Sequence, residues 1–253
     1  MLSPGEVQNL TEASLRLEDH AADHVELEPK QRSAWGNVGH ANPDLGYHAH
    51  GRRGHGGTLV IEDFWNADPA FHFLLGHQLT LSYIQPMVRE RITINNSELR
   101  VRYPGNATGS HMGGPLSHKY RYAFTGGQID CMMVRVIYFL HDVSPDQGAF
   151  SVVPGTHKAN YASPYGTDGD DEPGLVGLEV KAGDAILFSE NLRHGGLTNR
   201  SDQTRRTLHV GYGPHWMMSQ NIMTMDEPQF LTKSTRGALA PDQLALLTAW
   251  PGR

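Results

Sequence analysis

The segment "HGGLTNRSDQTRRTLHV", His194 to Val210, sets a histidine eleven residues before Arg205, which opens a strand-like run. Imidazole is a common metal ligand, and guanidinium clamps a carboxylate through two parallel hydrogen bonds. Alternation along the run puts Arg205, Thr207 and His209 on one face and Arg206, Leu208 and Val210 on the other. If Leu208 and Val210 face apolar packing, Arg205 and Thr207 face a different space, and an arginine enclosed there needs an anion. The competing reading is a surface hairpin with both His194 and Arg205 in water. The strand alone favours that reading, so the rest of the chain has to decide.

The 253 residues carry 21 Lys and Arg against 27 Asp and Glu, a net charge of -6 with 15 neutral His. Phosphate binding needs clustered cations, and Arg52-Arg53 and Arg205-Arg206 are the adjacent basic pairs, so no nucleic-acid partner is expected. No stretch approaches 18 apolar residues, which argues against a membrane span. The first twenty residues lack an apolar secretory core, and the expected location is cytoplasmic. Cys131, the single cysteine, sits in the apolar run "CMMVRVIYFL" and reads as a buried structural thiol.

The elements that must position these groups are short. Residues 1–57 are polar and rich in His, with weak helical periodicity near Leu10, Leu15 and Leu17. His48, His50 and His55 fall in a Gly-rich stretch that reads as a mobile loop or lid in preference to a second metal site. Asp68 followed by Pro69 predicts a helix start, and Gly76 divides the apolar stripe Phe71, Leu74, Leu75 from Leu81, Ile84, Val88, giving two short helices. From Ser97 onward strands alternate with turns. "SELRVRY" alternates Leu99, Val101 and Tyr103 with Arg100 and Arg102, a half-buried strand; "MMVRVIYFL" reads as a central strand; "AFSVV", "KAGDAILF" and "RRTLHVGY" follow between the turns "SPDQG" and "PGTHK". Such spacing implies a sandwich or barrel. His157 reads as a turn brace, His141 and His209 as core or supporting groups, and Asp142 and Asp184 as turn and strand-start residues.

Taken together, "VIYFLHDVSPDQGAFSVVPGTHKANY" and "VKAGDAILFSENLRHGGLTNRSDQTRRTLHV" resemble the phytanoyl-CoA dioxygenase family, non-haem iron enzymes that use 2-oxoglutarate and O2. The resemblance covers roughly residues 97–213. It implies a mainly β double-stranded β-helix, a cupin-like jelly roll with flanking helices, over residues 58–253, with residues 1–57 as a lid or packing extension. It makes His194 the C-terminal iron ligand and Arg205 the grip on the distal carboxylate of 2-oxoglutarate, assisted by the Thr207 hydroxyl. His and Arg then hold opposite ends of one cosubstrate, and the implied reaction is oxidation of a C–H bond in a small metabolite.

The family's other half-site reads His-X-Asp. Here "GSHMGGPLSHKY" gives His111 followed by Met112 and Gly113, a divergent His-X-Gly, and His111 is preferred to His118 as the first ligand because it directly follows the strand and turn "LRVRYPGNATGS". The third iron position then has four readings. A carboxylate comes from elsewhere, either Glu190, four residues before His194, or Asp130; water fills it; a halide fills it, as in iron-dependent halogenases; or catalysis is lost and a cupin-like ligand-binding protein remains. Gly113 is expected to face the metal, with Glu190 supporting the site from behind the ligands instead of binding the iron itself.

Overall fold

The computed structural model describes residues 1–112, 122–160, 163–166 and 170–249. In chain order it contains helix α1 (Pro4–His24), strands β1 (Gln31–Arg32), β2 (Val38–Asn42), β3 (Tyr47–Gly51) and β4 (Thr58–Glu62), helix α2 (Gln78–Ile84), then β5 (Ile92–Arg102) and β6 (Thr108–His111). There follow β7 (Ala123–Thr125), β8 (Gln128–Asp130), β9 (Val134–Phe139), β10 (Phe150–Val152), β11 (Val176–Gly177), β12 (Ala185–Ser189), β13 (His194–Gly196) and β14 (Arg205–Pro214), and finally helices α3 (Lys233–Ala238) and α4 (Pro241–Leu246).

An eight-stranded sheet ordered β1-β2-β3-β4-β5-β14-β9-β12 faces a four-stranded sheet ordered β11-β10-β13-β6. This is the jelly roll expected from the sequence. The outer face of the large sheet carries Leu59, Ile61, Leu99, Val101, Leu208 and Val210, all completely buried in one core with the inward stripe of α1. Each such side chain contributes roughly 1.5–3 kcal/mol by leaving water. A second, smaller cluster (Ile137, Phe139, Phe150, Val152, Phe188) fills the gap between the two sheets.

Helix α1 is far longer than the sequence reading of residues 1–57 suggests. Its start is well specified: Pro4 occupies the first turn, the Ser3 side chain accepts from the Glu6 amide, and the Ser3 amide donates to Glu6 Oε2 at 2.7 Å. Its buried stripe is Leu10, Ala13, Ser14, Leu17, Glu18 and Ala21. Only two of these are large apolar residues, whereas Leu15 is exposed. Reading Leu15 with its neighbours therefore blurs the periodicity.

His48 and His50 also correct the expectation of a loop, because they lie in β3 within the large sheet. His48 Nδ1 stands 2.7 Å from Asp63 Oδ2, and His50 Nε2 stands 3.3 Å from Glu62 Oε1. Asp63 bonds onward to Asn221 Nδ2 at 2.9 Å, while Glu62 accepts from the Ile222 and Met223 amides at 2.6 and 2.9 Å. These buried acids fasten the segment after β14 back onto the sheet. Glu62→Ala is expected to lower the unfolding free energy by about 2–4 kcal/mol in urea titrations, since two charge-assisted bonds disappear and two buried amides lose their acceptor.

The expected helix after Asp68 is present, but as a 3-10 turn over Pro69–Leu74 with Asp68 Oδ1 accepting from the Ala70 amide at 2.9 Å. Gly76, at φ +81°, separates it from α2.

Candidate metal and cosubstrate site

Between the two sheets lies a cavity of about 130 Å³. Strands β6 and β13 are antiparallel neighbours, and their register sets His194 directly opposite His111. Their ring centroids are 4.4 Å apart. His111 Nδ1 lies 2.9 Å from the Gly109 carbonyl and His194 Nδ1 lies 2.8 Å from the Leu192 carbonyl. A carbonyl only accepts, so each Nδ1 carries the proton and each Nε2 keeps a lone pair for a metal. Burial lowers both imidazoles, His194 to about 4, with Glu190 opposing the shift. Both rings are therefore neutral at physiological pH, the form that ligates.

Glu190 occupies the turn between β12 and β13. Its Oε2 is 4.0 Å from His194 Nε2, and its Oε1 is 2.6 Å from Arg135 Nε. Burial alone would raise this carboxyl; Arg135, with His194 and His111, holds it below the ordinary range. Among the described residues no three His, Cys, Asp or Glu side chains already close around one point. Glu190 Oε2 and His194 Nε2, 4.0 Å apart, lie within the span of two donors on one ion. The donor set nonetheless suits ferrous iron: two neutral imidazoles and an ionised carboxylate in one enclosed space.

At the other end of the cavity the register of β14 against β5 pairs Arg205 with Arg102, Thr207 with Arg100 and His209 with Glu98. All six side chains therefore share the inner face. Arg205 is 3% exposed, and Nη1 donates to the Gly148 carbonyl. No carboxylate among the described residues pairs with it. Burial, then the nearby Arg100, lowers Arg205 to about 10, so it remains charged. Thr207 Oγ1 bonds to His209 Nε2 at 3.0 Å. Arg206, on the opposite face, binds the buried carboxylate of Glu18 in α1, with Nη2 3.2 Å from Oε1.

The two glycines after His194 now have a reason. A Cβ on Gly195 would stand 2.7 Å from the Thr108 carbonyl of the neighbouring strand, and one on Gly196 would stand 3.0 Å from Arg102 Nη1 and 3.6 Å from Arg205 Nη2. The first glycine allows close strand approach, and the second leaves room for guanidinium groups.

The structure thus brings His111, His194, Glu190, Arg205 and Thr207 to one cavity. It does not bring Asp130, which lies at the end of β8 near Arg89, 3.9 Å away, and is half exposed. Gly113 and His118 lie outside the described residues. The sequence reading missed Arg100, Arg102, Arg135 and Glu98. Glu98 binds Arg100 and stands 3.6 Å from Arg135, and Asn96 Nδ2 donates to it at 2.8 Å. The available signals were an arginine inside the apolar run "MMVRVIYFL" and two arginines at alternating positions of "LRVRY". His141, by contrast, serves the fold, its Nε2 accepting from the Arg206 amide at 2.9 Å.

The sequence profile of the phytanoyl-CoA dioxygenase (PhyH) family matches residues 1–207. The chain belongs to this family. Curated relatives include Dioxygenase hkm4 of Aspergillus hancockii, 39% identical over 83 residues, which is 32% of this chain and 26% of the relative. Dioxygenase cdmD of Talaromyces verruculosus is 34% identical over 82 residues, 32% of this chain and 26% of the relative. The matched stretch spans about a quarter of each of these proteins. Among solved structures, HygX from Streptomyces hygroscopicus with nickel and 2-oxoglutarate bound superposes with a TM-score of 0.67 at 20% identity, covering 94% of this chain and 87% of HygX. The non-haem α-ketoglutarate-dependent epimerase SnoN from nogalamycin biosynthesis gives 0.55 at 17% identity, covering 85% of this chain and 74% of SnoN. At these identities the likeness is one of fold. No helix among the described residues is long and apolar enough to cross a membrane.

Proposed function

We propose that this PhyH-family chain is an iron(II)- and 2-oxoglutarate-dependent oxygenase that hydroxylates a C–H bond of a small metabolite with O2. One observation carries the reading: two imidazoles with available Nε2 atoms share a cavity with Arg205, a buried guanidinium that has no carboxylate partner among the described residues. The curated relatives named dioxygenases, and the nickel and 2-oxoglutarate held by the similarly folded HygX, support it.

Iron, when bound, would supply open coordination positions for a 2-oxo acid and O2. His111 and His194 would hold it through Nε2, their orientation fixed by the backbone carbonyls behind each ring. Glu190, beside His194, supplies the third donor that Gly113 lacks, and Arg135 keeps its carboxylate ionised. Arg205 and Thr207 bind the distal carboxylate of the cosubstrate and so orient its 2-oxo end toward the imidazoles. Phe150 and Phe188, with ring centroids 5.5 and 4.7 Å from that of His194, exclude water from this wall.

The test is anaerobic addition of Fe(II) and 2-oxoglutarate. A weak visible charge-transfer band is expected, followed by succinate release when O2 and a metabolite pool are admitted; a protein showing neither is a ligand-binding module and not an oxygenase. Glu190→Gln preserves shape and removes charge, and is expected to weaken Fe(II) binding at least tenfold in a competition assay against a chromophoric chelator. Unchanged iron affinity would place the third donor elsewhere.

A further inference from the structure

Arg102 and Arg205 are direct partners across the β5–β14 ladder, both side chains on the cavity face. Like charges directly opposite one another in a sheet repel, and here both are buried, at 7% and 3% exposure. Arg102 reaches only neutral oxygens among the described residues: Thr108 Oγ1, and Asn106 Oδ1 at 3.4 Å. The Nε atoms of Arg102 and Arg205 are both buried without an acceptor. The other two cavity arginines differ, since Arg100 is paired with Glu98 and Arg135 with Glu98 and Glu190. Arg102 Nη1 and Arg205 Nη2 converge beside Gly196, 3.0 and 3.6 Å from where its Cβ would stand, and both side chains line the cavity. Two converging buried cations with no carboxylate among the described residues form a built anion site.

We propose that Arg102 is a second cosubstrate-binding residue, so that the distal carboxylate of 2-oxoglutarate is held between two guanidiniums, Arg102 and Arg205. The inference rests on the oxygenase reading of the same cavity and extends it. It assigns Arg102 a part in selecting dicarboxylic 2-oxo acids over monocarboxylic ones, because only the former places an anion between the arginines. It also makes the ligand-free protein carry a repulsion that the cosubstrate relieves.

The experiment compares wild type, Arg102→Gln and Arg205→Gln, each loaded with redox-inert Ni(II). Calorimetric affinities are measured for 2-oxoglutarate and for pyruvate, which lacks the distal carboxylate, and the melting temperature is measured without ligand. Arg102→Gln is expected to weaken 2-oxoglutarate binding roughly 10- to 100-fold, to leave pyruvate unchanged, and to raise the ligand-free melting temperature by removing the repulsion. If Arg205→Gln weakens 2-oxoglutarate and Arg102→Gln does not, the second clamp is wrong while the oxygenase reading stands. If neither variant changes 2-oxoglutarate affinity, the oxygenase reading itself falls. If Arg102→Gln weakens both ligands equally and melts lower, Arg102 is structural and the proposal is overturned. Should the glutamine variant fail to fold, Arg102→Lys keeps the charge but loses the two-pronged geometry; it is expected to bind 2-oxoglutarate at least roughly tenfold more weakly, and wild-type affinity would overturn the proposal.

Discussion

Alanine at His194 or at His111 is expected to abolish stoichiometric Fe(II) binding and, with it, 2-oxoglutarate-dependent succinate release. The two imidazoles face each other across the β6–β13 ladder, and each is oriented by a hydrogen bond from its Nδ1–H to a carbonyl two residues back in its own chain. Losing a supporting partner outside the coordination sphere typically costs about 10- to 100-fold in metal affinity, and removing a ligand itself is expected to exceed that. His141→Ala is the control, because that ring serves the backbone of β14 and should retain iron. Neither substitution should unfold the protein, because each removes an imidazole that lines a cavity and not one packed within the apolar core. Circular dichroism before metal titration checks this. Iron retained at full affinity in either alanine variant would remove that histidine from the site.

Arg205→Ala and Arg206→Ala are adjacent in sequence and are expected to fail in opposite ways. Arg205 points into the cavity, and its loss should weaken 2-oxoglutarate by about 2–5 kcal/mol, at least a roughly 30-fold rise in dissociation constant. Arg206 points to the other face and holds Glu18, itself buried in α1, where Tyr103 also donates to it at 3.2 Å. Its removal leaves a buried carboxylate short of a cation and should lower the unfolding free energy by about 1–3 kcal/mol, below the range for a fully enclosed pair because Arg206 is partly exposed. Cosubstrate affinity should stay within about twofold of wild type, since this pair does not reach the cavity. Isothermal titration with 2-oxoglutarate and urea unfolding separate the two outcomes. Equal effects on affinity would mean that the faces of β14 are misassigned.

Much of this protein is legible in its sequence. Strict alternation in Arg205–Val210 divides the strand into two faces, because successive side chains of a strand point opposite ways whatever surrounds them. The apolar run from Met132 to Leu140, the Asp68-Pro69 start and the Gly76 break mark their elements by local chemistry alone. Helix α1 was hidden because Ala, Ser and a paired Glu fill most of its buried stripe, and their burial depends on what α1 packs against. β3 was hidden because its histidines, set among flanking glycines, resemble a loop until Asp63 and Glu62 arrive from the next strand and turn. The tertiary structure alone set register. Register places His111 beside His194, and Arg102 beside Arg205, across gaps of about 80 to 100 residues in the chain. No local pattern encodes such a pairing. It follows from the hydrophobic face of each strand choosing its side of the sheet and the ladder hydrogen bonds then fixing who stands opposite.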